Sequence, residues 1–115
     1  PSDVADAQAA GNRLVSIWDL QRQGAQALLE SLPTDNKWIL TIDCDGLDPA
    51  IAPGVGWPEP GGLSFFDIAT LVRGLASKGL IAAIVFTEFQ PKHDVRNITA
   101  KTIARLMMNI MGLQK

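Results

Sequence analysis

Residues 38–54, WILTIDCDGLDPAIAPG, give the clearest structural signal in this 115-residue chain: an apolar run leads into three aspartates and a long loop. The run Trp38 to Ile42 has the length and the β-branched content of a buried strand. The loop that follows, Cys44 to Gly62, contains four prolines and five glycines. This composition is typical of a stiff, turn-rich segment, and a loop of this length in a compact domain usually has a function.

A helix, a second strand and a last helix are predicted after this loop. Ser64 and Asp67 form an S-x-x-D capping pattern at the start of the first helix, and Gly79 ends it. The apolar face of that helix consists of Ile68, Leu71, Val72 and Leu75. The second strand is Leu80 to Thr87. The last helix ends at Gly112, and its core face consists of Ile103, Leu106, Met107 and Ile110.

Shorter elements are predicted before the first strand. The Ala-rich residues 2–11 predict a short helix that ends at Gly11, and the apolar run Leu14 to Trp18 predicts a short strand. A second capping pattern, Ser16 with Asp19, predicts a helix to about Ser31. The later order β-α-β-α predicts an α/β fold in which helices flank a parallel sheet. Because both strands are continuously apolar, we expect them to be buried on both faces.

Composition excludes several classes of partner. The formal net charge is −2 and the lysines and arginines are scattered, so neither nucleic acid nor an anionic membrane is expected as a partner. The single cysteine, Cys44, cannot form an internal disulfide, and a cytoplasmic location is expected. The longest apolar run, Leu80 to Phe86, is too short to span a bilayer. The chain begins with Pro1 instead of Met, which suggests a processed or truncated protein.

Three acidic residues are predicted to meet at one edge of the sheet. Asp43 and Asp45 follow the first strand two residues apart, so they should point to the same side. Glu88 stands at the corresponding end of the second strand. Two carboxylates this close repel each other unless one holds a proton or a cation lies between them, and hard divalent metals prefer carboxylate oxygens. We therefore interpret this edge as a metal site that could accept a cationic substrate.

The D-x-D motif also occurs in other kinds of protein site. A D-x-D after a strand can simply cap a turn or a helix. An EF-hand is excluded, because the sixth and twelfth positions counted from Asp43 hold Asp48 and Gly54 instead of Gly and Glu. A haloacid-dehalogenase-type phosphatase also has a strand running into D-x-D-G. That family has Thr or Val after the Gly, where this chain has Leu47.

The chain resembles the ureohydrolase (arginase/agmatinase/formiminoglutamase) family. Thr41 to Ser64 is similar to the family's second metal signature, S/T-x-D-x-D-x-x-D-P-x-x-x-P-G-x-G followed by P-x-x-G-G-L/M-S/T. Glu88 to Pro91, EFQP, resembles the later E-x-N-P segment, and the likeness runs from about Leu14 to Gly112. The resemblance implies a three-layer α/β/α fold with a parallel sheet and two Mn²⁺ ions at its carboxyl edge. It also implies a small guanidino substrate and a homo-oligomer, a trimer or hexamer.

The resemblance also implies roles for the three acids. Asp43 would match the carboxylate that bridges both metals, Asp45 a ligand of one metal, and Glu88 the partner of the substrate guanidinium. Two departures concern substrate preference, since Val85 replaces the family's Asp and Gln90 replaces its Asn. The family's upstream Gly-Asp-His and Asp-Ala-His-x-Asp segments do not occur here. We therefore expect residues 1–115 to be the C-terminal part of a single ureohydrolase domain.

The function implied is manganese-dependent hydrolysis of a guanidino compound, with agmatine cleaved to putrescine and urea. Guanidinobutyrate, guanidinopropionate, arginine and formiminoglutamate stay open as substrates. The alternative is that the 115-residue chain alone is a non-catalytic scaffold. Among the remaining residues, Cys44 is interpreted as buried packing, Asp48 as a brace of the loop, His93 as an exposed loop residue, and Trp57 as either a pocket wall or loop packing.

Overall fold

The computed structural model describes residues 2–112 and contains five α-helices and two strands within that range. The helices are α1 (Ser2–Ala9), α2 (Ile17–Gln23), α3 (Ala25–Glu30), α4 (Phe65–Ser77) and α5 (Ile98–Met111). The strands are β1 (Trp38–Asp43) and β2 (Ile81–Thr87). Two 3₁₀ turns, Cys44–Gly46 and Pro91–His93, follow the carboxyl ends of β1 and β2. Among these residues, no helix has the length and apolarity needed to cross a bilayer.

The two strands pair in parallel, as predicted, and α4 connects them. Asp43 lies opposite Thr87 in the register, so the two carboxyl ends meet at one edge of the sheet. The core lies between the sheet and helices α3, α4 and α5, and combines strand residues such as Ile42 and Ile81 with Val72 of α4. The α/β class with a parallel sheet is confirmed.

The prediction that both strands are buried on both faces is wrong for the described part of the chain. Burial alternates along β1, and its outward residues are exposed, with Ile39 71% accessible. On β2, Val85 pairs with Thr41 and is 47% accessible. One face of the sheet packs on the helices, while the opposite face, which includes Asp43, is open. A continuous apolar run predicts that a strand is buried, but it does not predict which part of a protein covers each of its two faces.

Helix α4 follows its sequence signals closely. Ser64 and Asp67 form a complete capping box: the Ser64 hydroxyl accepts from the Asp67 N–H, and the Asp67 carboxylate accepts from the Ser64 N–H. Of the predicted apolar face, Ile68, Val72 and Leu75 are buried. Gly79, in a left-handed conformation with φ of 67°, follows the helix and allows the chain to turn into β2.

The N-terminal region corrects two predictions. No strand forms over Leu14 to Trp18, because Ser16 caps a helix within that run and α2 begins at Ile17. The single helix predicted to about Ser31 is divided into α2 and α3 by Gly24, whose φ of 83° is not helical. The capping hydroxyl of Ser16 therefore determines the local structure more strongly than the short apolar run does, and Gly24 divides the predicted helix in two.

Helix α5 turns most of the predicted apolar face to the core, and Met107 is the exception. Leu106 and Ile110 are buried as expected, but Met107 is 41% accessible. Thr99 and Thr102 are buried in its place, and both bond to the Pro/Gly loop. Those hydrogen bonds tie the helix to the loop, a contact that hydrophobic spacing alone cannot reveal.

Candidate metal and substrate site

Asp43 is the last residue of β1 and lies on the open face of the sheet, with its side chain exposed. The last register pair, Asp43 with Thr87, places the next residue along β2, Glu88, at the same edge. Two of the three predicted site residues therefore end neighbouring parallel strands, where ligand sites of such sheets are found.

Asp45 reaches the same edge by a route that the sequence did not predict. It lies in the 3₁₀ turn Cys44–Gly46 and not on the strand, so the two-residue alternation of a strand does not apply to it. Its pKa is nevertheless raised, first by desolvation, then by the charge of Asp43 and a hydrogen bond with Asp43, and then by the charge of Glu88. The turn brings together the three acids that strand geometry was expected to align.

Glu88 has an unusual backbone conformation. Its φ of 59° lies in the left-handed region, where residues other than glycine are uncommon, and its side chain is exposed. Such strain persists only where the surrounding structure enforces it, and it is frequent at functional sites. The chain therefore bends at Glu88, directly after the end of β2 at the acidic edge.

Cys44 lies between the two aspartates and is completely buried. Desolvation, followed by the charges of Asp43, Asp45 and Glu88, raises the pKa of its thiol to about 11. The thiol is thus neutral at physiological pH and fills space beneath the acids, as interpreted from the sequence.

Asp48 belongs to the same loop but has a structural role. Its carboxylate accepts the Ala50 N–H at 2.9 Å and the Gly61 N–H at 3.0 Å. These two backbone donors lower the pKa of Asp48. They also join the two ends of the proline-rich segment, so the interpretation of Asp48 as a brace is confirmed.

His93 and Trp57 both lie on the surface. His93 is exposed, as interpreted, and its Nδ1 donates to the Val55 carbonyl oxygen at 3.0 Å. The indole of Trp57 is exposed and donates to Glu59 Oε1 at 2.7 Å, so it is not packed within the loop. Sequence reasoning missed Asp94 and Thr99, which hold the loop in place. Their only sequence signal is a Thr at a position that the helical pattern assigns to the buried side of α5.

The acids fit a divalent metal in chemical type but not in number. Asp43 and Asp45 offer hard oxygen ligands, and their mutual repulsion would be relieved by a cation. Within the described part of the chain, however, no group of three or more His, Cys, Asp and Glu residues is arranged to hold a metal ion. The residues present could supply part of a coordination sphere, and the remaining ligands would have to come from elsewhere.

Comparison with known proteins identifies the family. The arginase family model matches residues 1–112. A guanidinopropionase from Pseudomonas aeruginosa is 35% identical over 98% of this chain and 36% of its own length. A putative agmatinase 3 from Schizosaccharomyces pombe is 31% identical over 97% of this chain and 28% of its own length. The chain belongs to the arginase family.

The solved structures agree with this assignment. The crystal structure of arginase from Bacillus subtilis superposes with a TM-score of 0.88 at 29% identity, covering 97% of this chain and 41% of that one. The predicted arginase-like fold, present here as part of a domain, is thereby confirmed, and the haloacid-dehalogenase alternative is wrong. The chain spans roughly a third of the length of the curated relatives it matches, 36% and 28% for the two above.

Proposed function

We propose that residues 1–115 form the C-terminal part of the catalytic domain of a ureohydrolase that hydrolyses a small guanidino compound, with agmatine, giving putrescine and urea, as the first candidate. The observation that carries this proposal is the convergence of Asp43, Asp45 and Glu88 at the carboxyl edge of a parallel sheet. Three negative charges there match a metal centre and a cationic substrate. The relatives named as guanidinopropionase and agmatinase act on substrates of this chemical class.

Asp43 and Asp45 are proposed as metal ligands and Glu88 as the substrate-binding residue. The carboxylates of Asp43 and Asp45 would supply oxygens to a binuclear Mn²⁺ centre. When bound, such a centre lowers the pKa of a water molecule and directs it toward the substrate. The carboxylate of Glu88 would accept two parallel hydrogen bonds from the planar guanidinium, which fixes the orientation of the carbon to be attacked.

The test compares two proteins. One is the complete enzyme, meaning a ureohydrolase chain of the length of the relatives above that contains these 115 residues, and the other is the 115-residue chain alone. With added Mn²⁺, we expect urea release from agmatine, or from another guanidino compound in a small panel, by the complete enzyme only. Absence of urea release from every member of the panel would contradict the assignment.

A second candidate concerns the isolated chain, which we propose is a non-catalytic scaffold. The observation in its favour is that no three potential ligands among the described residues, the converging acids included, are arranged to hold a metal ion. Isothermal titration of the 115-residue chain with Mn²⁺ should give no saturable binding at micromolar concentrations. Urea release by this chain alone would contradict the scaffold interpretation and would show that fewer ligands suffice.

A further inference from the structure

Gly54 joins the Pro/Gly loop to two segments of the chain at once. Its N–H donates to Thr99 Oγ1 at 2.7 Å in a buried hydrogen bond, which ties the loop to the first turn of α5. Its carbonyl oxygen accepts the Gln90 N–H at 2.7 Å. Gln90 lies two residues after Glu88, so one residue, Gly54, links the loop to the helix and to the segment that carries the proposed substrate carboxylate.

Two of the five glycines of the loop, Gly54 and Gly56, lie close to the segment after β2. A Cβ added at Gly54 would lie 2.7 Å from Cβ of Asp94 and 2.9 Å from Thr99 Oγ1. A Cβ added at Gly56 would lie 2.6 Å from the side-chain nitrogen of Gln90. At Gly54 the contact is with the Cβ of Asp94, which cannot move away, whereas the end of the flexible Gln90 side chain could move away from Gly56. Gly54 is therefore the position at which the loop has no room for a side chain against the segment after β2.

Thr99 is held at this contact by Asp94. The Asp94 carboxylate accepts the Thr99 N–H at 3.0 Å and the Ala100 N–H at 3.1 Å. The Thr99 hydroxyl also bonds to the Asp94 carboxylate, so this hydroxyl accepts from the loop and donates to Asp94. Thr99 itself is completely buried. With every partner satisfied and water excluded, the hydroxyl has one defined position.

We propose that Thr99, acting through Gly54, is a positioning residue for Glu88. Thr99 holds the loop in place, and the loop in turn holds the segment after β2 that carries Glu88. Glu88 has a strained backbone and an exposed side chain, so its carboxylate must be oriented by the chain on either side. On the N-terminal side β2 provides this support. On the C-terminal side the bond from Gln90 to Gly54, secured by Thr99, provides it. The proposal rests on the proposed substrate role of Glu88.

A matched pair of substitutions on one helix tests the proposal in the complete enzyme. Thr99→Val removes the hydroxyl at Gly54. Thr102→Val removes a second buried hydroxyl, which donates to the Ile51 carbonyl oxygen at 2.8 Å. Ile51 lies in the same loop but three residues before Gly54, the residue to which Gln90 bonds. We expect Thr99→Val to raise KM for the guanidino substrate about tenfold without loss of bound Mn²⁺, because a misplaced carboxylate binds the guanidinium poorly. Thr102→Val should stay within about twofold, and Thr99→Ser should restore the wild-type KM.

Hydrogen exchange provides a readout that does not depend on activity. The Gln90 amide should exchange about tenfold faster in Thr99→Val and at the wild-type rate in Thr102→Val, because only the first loosens its acceptor, Gly54. Equal changes in the two variants, or no change at Gln90, would overturn the positioning role. If Thr99→Val fails to fold, Thr99→Cys, which keeps a weaker acceptor, should show the same pattern at smaller size. Wild-type enzyme that releases no urea would contradict the proposed function, whereas the exchange comparison would still decide the role of Thr99.

Discussion

Asp45 and Asp48 lie three residues apart in one loop, yet their surroundings are opposite. Asp48 is surrounded by donors, since the N–H groups of Ala50 and Gly61 lower its pKa. The pKa of Asp45 is raised by desolvation and by two other acids, Asp43 and Glu88. The difference shows that residue type and position in a motif do not decide the role of an acid. An acid whose neighbours satisfy it stabilises the loop, and one that faces other acids is available to a cation.

The sharpest test of this comparison is to replace each aspartate by asparagine in the complete enzyme. Asp45→Asn removes a proposed ligand charge and should lower urea release by at least about 100-fold, together with the Mn²⁺ content. Asp48→Asn keeps only one of the two acceptor oxygens, so it loosens the loop, but it removes no proposed metal ligand and should lower activity by no more than about fivefold. Steady-state assays with metal analysis measure both. Equal losses in the two variants would remove the distinction.

Cys44 tests how dry the layer beneath the acids is. With its pKa raised to about 11, the thiol has a far smaller thiolate fraction at pH 8 than a free cysteine of pKa about 8.5. Its reaction with a thiol reagent in the folded protein should therefore be slowed roughly 100-fold or more relative to the urea-unfolded protein. Rapid labelling at pH 8 would mean that solvent reaches Cys44 in the folded protein. Desolvation would then not be the main cause of its raised pKa.

Much of the fold, and the position of the three acids at one edge of the sheet, could be predicted from the sequence. The strand before Asp43, the capping box at Ser64 and the parallel order of β1 and β2 follow from local signals of length, spacing and polarity. The 3₁₀ turn that carries Asp45 could not be predicted, because the backbone on either side of Leu47 bonds to Leu63, which is distant in the sequence.

The contact between α5 and the loop could not be predicted from the sequence either. Met107 fits the apolar spacing of the helix, yet buried threonines take the core side because the loop supplies them with hydrogen-bond partners. Those contacts join residues about 45 positions apart, as in the bond between Gly54 and Thr99. Local patterns carry no information about such pairs, whereas they do identify elements that fold from neighbouring residues.

Two loop glycines separate the tightly packed part of the loop from the part near the acids. Gly54→Ala would place a Cβ 2.7 Å from Cβ of Asp94, whereas a Cβ at Gly46 meets nothing within 4 Å. We expect Gly54→Ala to lower the free energy of unfolding by about 1–3 kcal/mol through overpacking. Gly46→Ala should change it by less than about 1 kcal/mol. Urea unfolding measures both, and a similar cost at the two positions would mean that the contact around Gly54 is loose.

The smallest expected effect concerns Asp94, which resembles Asp48 in having its charge satisfied. Desolvation opposes ionisation of Asp94, but hydrogen bonds from Thr99, Ala100 and Val95 outweigh it and lower the pKa. Because the folded pKa lies below the unfolded value of about 3.9, this contribution is present above that pH and is lost as the pH falls through the folded pKa.

Asp94→Asn should therefore lower the free energy of unfolding by about 1 kcal/mol at pH 7. The difference from wild type should shrink below about pH 4, where the wild-type carboxyl also becomes protonated. Asp35→Asn, at an exposed position before β1, serves as the control and should leave the stability unchanged at both pH values. A difference between Asp94→Asn and wild type that stays constant down to pH 3 would show that shape, and not charge, holds the first turn of α5. Asp94 would then no longer be a second example of an acid stabilised by backbone donors. The contrast between such acids and Asp45, which faces other acids, would depend on Asp48 alone.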